Sequence, residues 1–560
     1  MPYPDSSRKA AYFLPGFSGR KDTPIRGIFG SLSYFCPNGR FDRNNPDLMW
    51  RRFLHSLRQA GEEARLPLLP LLGVCLLFHL WTAYASIGYH HADEHFQILE
   101  FANHALKGSP ASDLPWEYGE RIRPALQPML AAGFFQALSW LGVDHVIWWN
   151  YLLKALTSMI SLLTIVLACR LVAPDLSVSG KRALWLSALF LWFMPYLHVR
   201  FTSENWSGIL FFWATFLVLR RAGEGLPPGR ALAIGLLLGL SFVFRFQMAF
   251  AILGLGLWLL IRQRPSWVSW VALVAAGVSM IGLGFLVDSW YYGEWVFTPY
   301  EYFRVNILEA KAAEFGVSPW YQYFVLFLIH AGPPLSIGLL ILFFWGMVRR
   351  PQHLWSWAFA VFLLGHLLVG HKELRFLYPM SYLIPFFVAL GWEAFHRRAW
   401  RFWGWRGLSW FLAGLNVAIL GLWLSFFPHK LLGFNEYYLK FLYTYAERQP
   451  AENLYLVSLA DDPYEYLQLR MNFYESPKLE LVLLPDAQAL EEWLPTAGRP
   501  VLFYRRDGQE LPELPGHEVE LLYHTFPDWA LEEGSRGNEL VRKLQEIGAD
   551  IRIRYVYAIR

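Results

Sequence analysis

The stretch Trp267-Val-Ser-Trp-Val-Ala-Leu-Val-Ala-Ala-Gly-Val-Ser-Met-Ile-Gly-Leu-Gly-Phe-Leu-Val-Asp288 decides the fold. No charge interrupts it between Trp267 and Val287, and a helix of roughly 20 apolar residues is as long as the hydrocarbon core of a bilayer is thick. Arg262 and Arg264 stand before it, and Asp288-Ser-Trp-Tyr-Tyr-Gly-Glu-Trp295 follows it, so one end is basic and the other acidic and aromatic. Working outward, similar apolar runs lie near 66–88, 124–142, 147–171, 183–199, 205–221, 231–245, 246–262, 321–348, 354–370, 375–396 and 408–427. The composition agrees. Of 560 residues, 55% are hydrophobic and only 17% charged, against about 25% charged in soluble chains. This excludes a disordered chain, a coiled coil, a fibrous repeat and a single soluble domain. A net charge of +4 gives no argument for nucleic acid.

Basic clusters divide the runs: Arg170/Lys181/Arg182, Arg220/Arg221/Arg230, Arg262/Arg264, Arg349/Arg350 and Arg397/Arg398/Arg401/Arg406. The positive-inside rule places them in the cytoplasm, together with a polar leader at 1–65. Met49-Trp-Arg-Arg within that leader reads as a second candidate start. Run 66–88 leaves the cytoplasm and the cluster at 170–182 lies back in it, so one of the two runs between them does not cross. Run 124–142 carries Pro124, Gln127, Pro128 and Gln136 and reads as interfacial or re-entrant. Eleven spans are therefore expected within 66–427, with a first outer loop at 89–146. Residues 428–560 change in character. Strands are expected at 453–458, 479–484, 500–505 and 551–557, and helices at 485–494 and 538–547, as in a small external α/β domain. Cys36, Cys75 and Cys169 build neither a disulfide framework nor a zinc spacing.

Ionisable residues at the edge of a membrane are candidate functional groups. In this topology Asp93, Glu94, Arg200, Glu204, Arg245, Asp288, His371, Lys372, Glu373 and Arg375 all fall at outer ends of spans. In His90-His-Ala-Asp-Glu-His-Phe-Gln97, adjacent carboxylates among histidines suit a general base. They also suit a metal site, or an acidic first helical turn held by the helix dipole. Asp93 has the polar Gln97 at i+4 and Glu94 has Ile98, which favours Asp93 as the base. In His371-Lys-Glu-Leu-Arg-Phe-Leu-Tyr-Pro379, His371, Lys372 and Arg375 suit a phosphate, with the guanidinium able to engage two oxygens; the alternative is a snorkelling anchor belt. Arg200 and Arg245 fit either a phosphate or an ion pair with Glu204 or Asp288. The aromatics around 290–295 and Trp320-Tyr321 fit a membrane belt or a sugar-stacking surface.

Taken together these motifs resemble a known family. The carriers are His91-x-Asp93-Glu94-x-Phe96-Gln97, Trp116-Glu117-Tyr118, Arg123-Pro124, Arg200-Phe-Thr-Ser-Glu-Asn205, Arg245-Phe-Gln247, Asp288-Ser-x-Tyr-Tyr292-Gly293, Pro319-Trp320-Tyr321 and the 371–379 element. Their order and spacing are similar to glycosyltransferase family 22, the lipid-phosphate-mannose-dependent mannosyltransferases of the GT-C superfamily, and most like its GPI-mannosyltransferase branch. The chain departs at Arg245-Phe-Gln247, where Arg-Pro-Thr is more usual, and in its leader. The residue style suggests a bacterial member. The resemblance implies a polytopic helical GT-C fold and an inverting transfer of a sugar, mannose by the family, from a polyprenyl-phosphate donor to a lipid-linked glycan or glycolipid. It implies no cofactor and no metal. Asp93 and Glu94 would be catalytic; His371, Lys372, Arg375, Arg245 and Arg200 would bind donor phosphate. Substrate would be held by His91, Gln97, Trp116, Glu117, Arg123, Glu204, Asp288, Tyr292, Trp320 and Tyr321. The site would face the periplasm of a bacterial inner membrane, or the lumen of the endoplasmic reticulum in a eukaryote. The alternative class is a transporter or flippase of lipid-linked oligosaccharide, which should show internal repeats; none is visible in the sequence.

Overall fold

The computed structural model describes residues 46–86, 89, 91–220, 225–399, 403–425, 437–449, 453–466, 468–526, 528–532, 534–546 and 553–560. Most of the expected leader, His90, Arg221 and Arg401 lie outside the described residues. By contact the chain divides after Leu69. The first unit contributes the amphipathic helix Pro46–Ala64, whose Gly61 packs against the Leu66 carbonyl at its own C-terminal turn. Everything below belongs to the second unit, Pro70–Arg560.

Six helices among the described residues are long and apolar enough to cross a membrane: Leu68–Ala85, Val146–Asp175, Phe246–Gln263, Trp267–Tyr292, Leu374–Arg397 and Gly404–Leu422. Pro228–Phe244, Leu335–Arg349 and Leu354–Leu368 are shorter apolar helices. The segment Trp267–Tyr292 shows the pattern that lipid imposes. Its buried residues are Ser269, Ala276, Gly284, Asp288 and Ser289, while Val268, Val278 and Leu286 are exposed. Small residues face the protein because helix association in lipid depends on close packing rather than on hiding apolar area.

Two expected runs are broken. Run 321–348 forms Gln322–His330 and then Leu335–Arg349, because Pro333 and Pro334 supply no amide hydrogen to a continuing helix. Run 183–199 ends as a helix at Phe190 and resumes as the short turn Met194–His198 before Arg200. Run 124–142 is a helix at Leu126–Trp140, packed beside Val146–Val172 and the helix Glu100–Lys107.

In the C-terminal region β1 (Leu454–Leu459), β2 (Leu479–Leu484), β3 (Val501–Arg506), β4 (Val519–His524) and β5 (Arg554–Ile559) form one sheet in the order β2-β1-β3-β5-β4. Strand β1 pairs in parallel with β2 and β3, and β5 runs antiparallel to β3 and β4. Helices Tyr437–Arg448, Ala487–Trp493 and Arg536–Glu546 complete it. β4 and the helix Tyr437–Arg448 were not among the sequence expectations. The C-terminal region shares a hydrophobic core with residues between 96 and 149: Leu456, Tyr464, Phe473 and Tyr504 join Phe96, Phe135 and Trp149.

Helix contacts rest on glycines. A Cβ on Gly235 would lie 2.1 Å from the Leu273 carbonyl oxygen, and one on Gly346 would lie 1.9 Å from that of Phe387. Gly256 faces open space. Gly235→Ala is therefore expected to force apart Pro228–Phe244 and Trp267–Tyr292 and cost on the order of 1–3 kcal/mol. Gly256→Ala should leave the protein unchanged. Thermal unfolding in detergent checks the contrast; equal melting points would refute it.

Candidate functional site

The ends of several helices meet at a small cleft, lined by residues of 93–98, 122–128, 202–204 and 244–247 and by Tyr302. His91, Arg200 and the 371–375 segment do not line it but contact residues that do. Local rules put the side chains in and around it. His91 has an extended backbone and its Nδ1 accepts from the Asp93 amide at 3.2 Å, capping the short turn Ala92–Glu94. Thr202 accepts from the Asn205 amide and starts the helix Ser203–Leu219, which leaves Glu204 in its first turn. Arg245 is extended at the end of Pro228–Phe244, so its side chain leaves the helix and turns to its neighbours. Arg375 lies at the start of the 3-10 helix Leu374–Leu383.

Arg375 is the hub. Its Nη1 donates to Asp93 Oδ2 at 2.7 Å, and its Nε and Nη2 both reach Glu373, Nη2 at 3.2 Å. Glu204 lies 3.6 Å away. Arg123 stands 3.5 Å from Asp93 and 3.3 Å from Glu117. Arg245 donates to Glu204 at 2.8 Å and to Ser203 Oγ at 3.1 Å. Arg200 donates to both Glu94 oxygens, at 3.0 and 2.9 Å, and covers the Tyr196 ring at 4.2 Å. His371 reaches Gly316 O and Glu373, Lys372 reaches Ser318 O and Val369 O, and His91 lies 3.3 Å from Glu373. Carboxylates and arginines alternate around Arg375, so these charges have opposite charges as neighbours.

Burial alone would raise the Asp93 pKa, but Arg375, the His91 contact and Arg123 hold the carboxyl well below its ordinary range. Glu373 is likewise pushed upward by burial, but its hydrogen bond and charge contact with Arg375, with the histidines beside it, bring it down to about 2.

Several residues stand differently from the sequence expectation. Asp93, expected as the base, and Arg375, expected at the donor phosphate, are in direct contact. Gln97 donates to Glu117 at 3.0 Å rather than orienting Asp93. Glu94 does turn toward a cation, but the cation is Arg200. Asp288 pairs with no arginine: it accepts from the Ala125 amide at 2.7 Å and from Thr298, while the Tyr292 hydroxyl donates to Arg123 O at 2.8 Å. These two residues hold the 123–125 backbone and do not line the cleft. Trp320 and Tyr321 are exposed, and Trp116 stacks on Phe315 with ring centres 6.1 Å apart; none of the three lines the cleft.

Other residues were missed. Glu373, a candidate by its charge but given no role, bridges His371, His91 and Arg375. Lys154, inside Val146–Val172, is buried and donates to Ser86 O at 2.5 Å, tying down the chain that leads to Asp93. Its charge within an apolar run was the available signal. A second, apolar cavity of about 470 Å³ was also unforeseen. Trp192, Tyr196, Phe327, Phe343, Leu363 and Tyr378 contribute to its wall. Leu374 and Leu377, which flank Arg375 in sequence, line it as well.

The Arg200–Glu94 pair is buried on both sides. Arg200→Met would leave Glu94 buried without its partner and is expected to cost about 3–5 kcal/mol, while Arg200→Met with Glu94→Leu should recover most of that loss. Melting temperatures of the three proteins check this; an additive double substitution would show the pair to be uncoupled.

Comparison with known proteins follows the same segments. The family model described as "Alg9-like mannosyltransferase family" matches residues 71–436. The chain is 30% identical over 367 residues to GPI mannosyltransferase 3 of Yarrowia lipolytica, covering 63% of this chain and 66% of that protein. It is 26% identical over 332 residues to GPI alpha-1,2-mannosyltransferase 3 of Homo sapiens, covering 55% and 54%. Over 160 residues it is 32% identical to a Schizosaccharomyces pombe protein named "Probable Dol-P-Man:Man(7)GlcNAc(2)-PP-Dol alpha-1,6-mannosyltransferase", 28% of each chain. The chain thus spans less than two thirds of the length of these relatives. All three are eukaryotic, and they lend no support to the expected bacterial origin. Among solved structures, ArnT from Cupriavidus metallidurans bound to undecaprenyl phosphate aligns with 88% of this chain and 97% of its own, at 14% identity and a TM-score of 0.49. With the family model covering well over half of its length, the chain belongs to the Alg9-like mannosyltransferase family.

Proposed function

We propose that the protein transfers a mannosyl group, with inversion, from a polyprenyl-phosphate donor to a hydroxyl of a lipid-linked glycan or glycolipid. The observation that carries this reading is the placement of Arg375 beside a large apolar cavity whose wall includes Leu374 and Leu377. An apolar cavity walled by the sequence neighbours of a guanidinium suits an amphiphile with a prenyl tail and a phosphate head. The S. pombe relative carries Dol-P-Man in its name, which supports the same donor class. The leaving group is a phosphate already bearing negative charge. It needs counter-charge rather than a strong acid, and no metal is part of the proposal. His371, Lys372 and Arg375 supply that charge, and Arg245 and Arg200 hold Glu204 and Glu94 behind them.

Contact between Asp93 and Arg375 links donor binding to base release. A donor phosphate engaging Arg375 competes with Asp93 for the guanidinium. Once displaced, Asp93 loses its strongest counter-charge and becomes a better proton acceptor for the acceptor hydroxyl. It can then stand on the side of the anomeric carbon opposite the phosphate, as inversion requires. Glu94 is committed to Arg200 and buried, so it holds structure. His91, Gln97, Glu117, Arg123 and Glu204 shape the acceptor side. Eleven crossings, with the basic clusters in the cytoplasm, would put the cleft and the C-terminal region on the extracytoplasmic face, lumenal in a eukaryote or periplasmic in a bacterium.

Incubating the purified protein in nanodiscs with labelled polyprenyl-phosphate-mannose and membrane glycolipid should yield labelled glycolipid and free polyprenyl phosphate. No transfer, together with lipid translocation in liposomes, would favour a transporter. Asp93→Asn should lower kcat by about 10²–10⁴-fold with donor binding retained, and Glu94→Gln should keep measurable turnover. The opposite order would move the base to Glu94. Arg375→Lys should cost on the order of 2–4 kcal/mol in kcat/KM, since an ammonium cannot bridge two oxygens.

The depressed Asp93 pKa sets a pH expectation. In the free enzyme Asp93 stays ionised as pH falls through the ordinary carboxylate range, so the acidic limb of kcat/KM lies below that range. Arg123→Gln removes one of the charges that hold the carboxylate and should move that limb to higher pH. A pH–rate profile of both proteins checks the direction, and a limb unmoved or shifted lower would count against Asp93.

A further inference from the structure

The turn Ala92–Glu94 that carries both carboxylates runs directly into a π-helix, His95–Leu99, and then into the helix Glu100–Lys107. The wide turn brings residues five apart together. His95 Nε2 lies 2.8 Å from Glu100 Oε1, and both side chains are about 1% exposed. A buried carboxylate here is a poor way to gain stability, because taking its charge out of water costs about as much as its contacts return. What it provides is a fixed geometry.

The same Glu100 oxygen accepts a second hydrogen bond, from the Phe473 amide at 2.9 Å, across 373 residues of sequence. Phe473 belongs to the 3-10 turn Asn472–Tyr474 of the C-terminal region. The neighbours in that turn act on the same place. Tyr474 stacks on the His95 ring, 5.4 Å between centres and 10° from parallel, and its hydroxyl accepts from Asn150 at 2.6 Å. Asn472 donates to Asp113 of the first outer loop at 3.0 Å. Phe473 packs on Phe135 in the shared core. Lys107 and Glu475 are further charges that act on Glu100. Nothing in the turn lines the cleft.

We propose that the Asn472–Tyr474 turn is a positioning device for Asp93 and Glu94, acting through the His95–Glu100 pair. It clamps the π-turn behind the carboxylates, and thereby sets where the Asp93 side chain emerges into the cleft. This rests on the transferase reading above, in which Asp93 is the base. Glu100, His95 and the turn touch no substrate. Their effect falls on the orientation of the base, and so on kcat, while the donor cavity and the 371–375 segment are untouched. The C-terminal region is thereby assigned a part in the reaction without contributing a reacting group.

The test uses the full chain in nanodiscs, with Glu100→Ala, Glu100→Gln and Asn472→Ala. Glu100→Ala is expected to lower kcat by about tenfold or more, the scale of a small displacement of a reacting group, with donor KM within about twofold of wild type. Glu100→Gln keeps an oxygen for the Phe473 amide and should recover most of the rate. Asn472→Ala loosens the same turn from a distance and should give a smaller loss in kcat, again without a change in KM. If Glu100→Ala does not fold, the other two variants decide. Hydrogen exchange gives a readout independent of activity: amides of 92–99 should exchange faster in Glu100→Ala and Asn472→Ala, with those of 371–383 unchanged. Wild-type kcat in Glu100→Ala and Asn472→Ala, or unchanged exchange at 92–99 in both, would overturn the proposal. An inactive wild-type chain whose 92–99 segment still loosens in the variants would instead overturn the transferase reading and leave the clamp standing.

Discussion

The contact between Arg375 and Asp93 is the constraint on which the rest of the site depends. A guanidinium at the edge of a membrane is stable only if carboxylates surround it, and Arg375 has Asp93 on one side, Glu373 on another and Glu204 nearby. Those carboxylates come from parts of the chain more than a hundred residues apart. Each in turn requires further cations, so Arg123, Arg245 and the histidines at 91 and 371 follow from the same requirement. The alternating charges cost little as a set, whereas removal of one member leaves another buried and unpaired. A site of this kind is rigid until something with the charge of a phosphate competes for its centre.

The apolar cavity and the charged cleft divide the work between two physical environments. Aromatic and aliphatic side chains line the first, and the second is lined largely by groups that donate or accept hydrogen bonds. The segment 371–378 belongs to the boundary: Arg375 turns to the carboxylates while Leu374, Leu377 and Tyr378 face the cavity. Tyr196 performs a similar double duty, lining the cavity with its ring under Arg200.

The C-terminal sheet is less independent than its composition suggests. Its core continues into the first outer loop, and its 472–474 turn reaches the helix behind the carboxylates. Such an arrangement lets a region without any group in the cleft influence the cleft, because packed cores transmit displacement rather than absorb it.

The membrane class, many of the apolar helices, most strands of the C-terminal region and the charged residues that meet around Arg375 were legible in the sequence, because each follows from local rules. Run length against bilayer thickness marks spans, alternation marks strands, and a charge at the end of an apolar run stands out whatever its partner. Which charges pair was not legible. Arg200 with Glu94 and Arg375 with Asp93 are set by how helix ends meet in space, and Asp288 and Tyr292 read as site residues although they hold the backbone at 123–125. The glycine contacts that let helices approach, the break at Pro333-Pro334 within one apolar run, the large cavity and the bond from Phe473 to Glu100 likewise depend on tertiary packing. Sequence by itself determined what kinds of groups reach the membrane edge, since solvation acts on each residue separately. Only the folded chain decided their partners, since pairing energy depends on distances between residues that sequence leaves far apart.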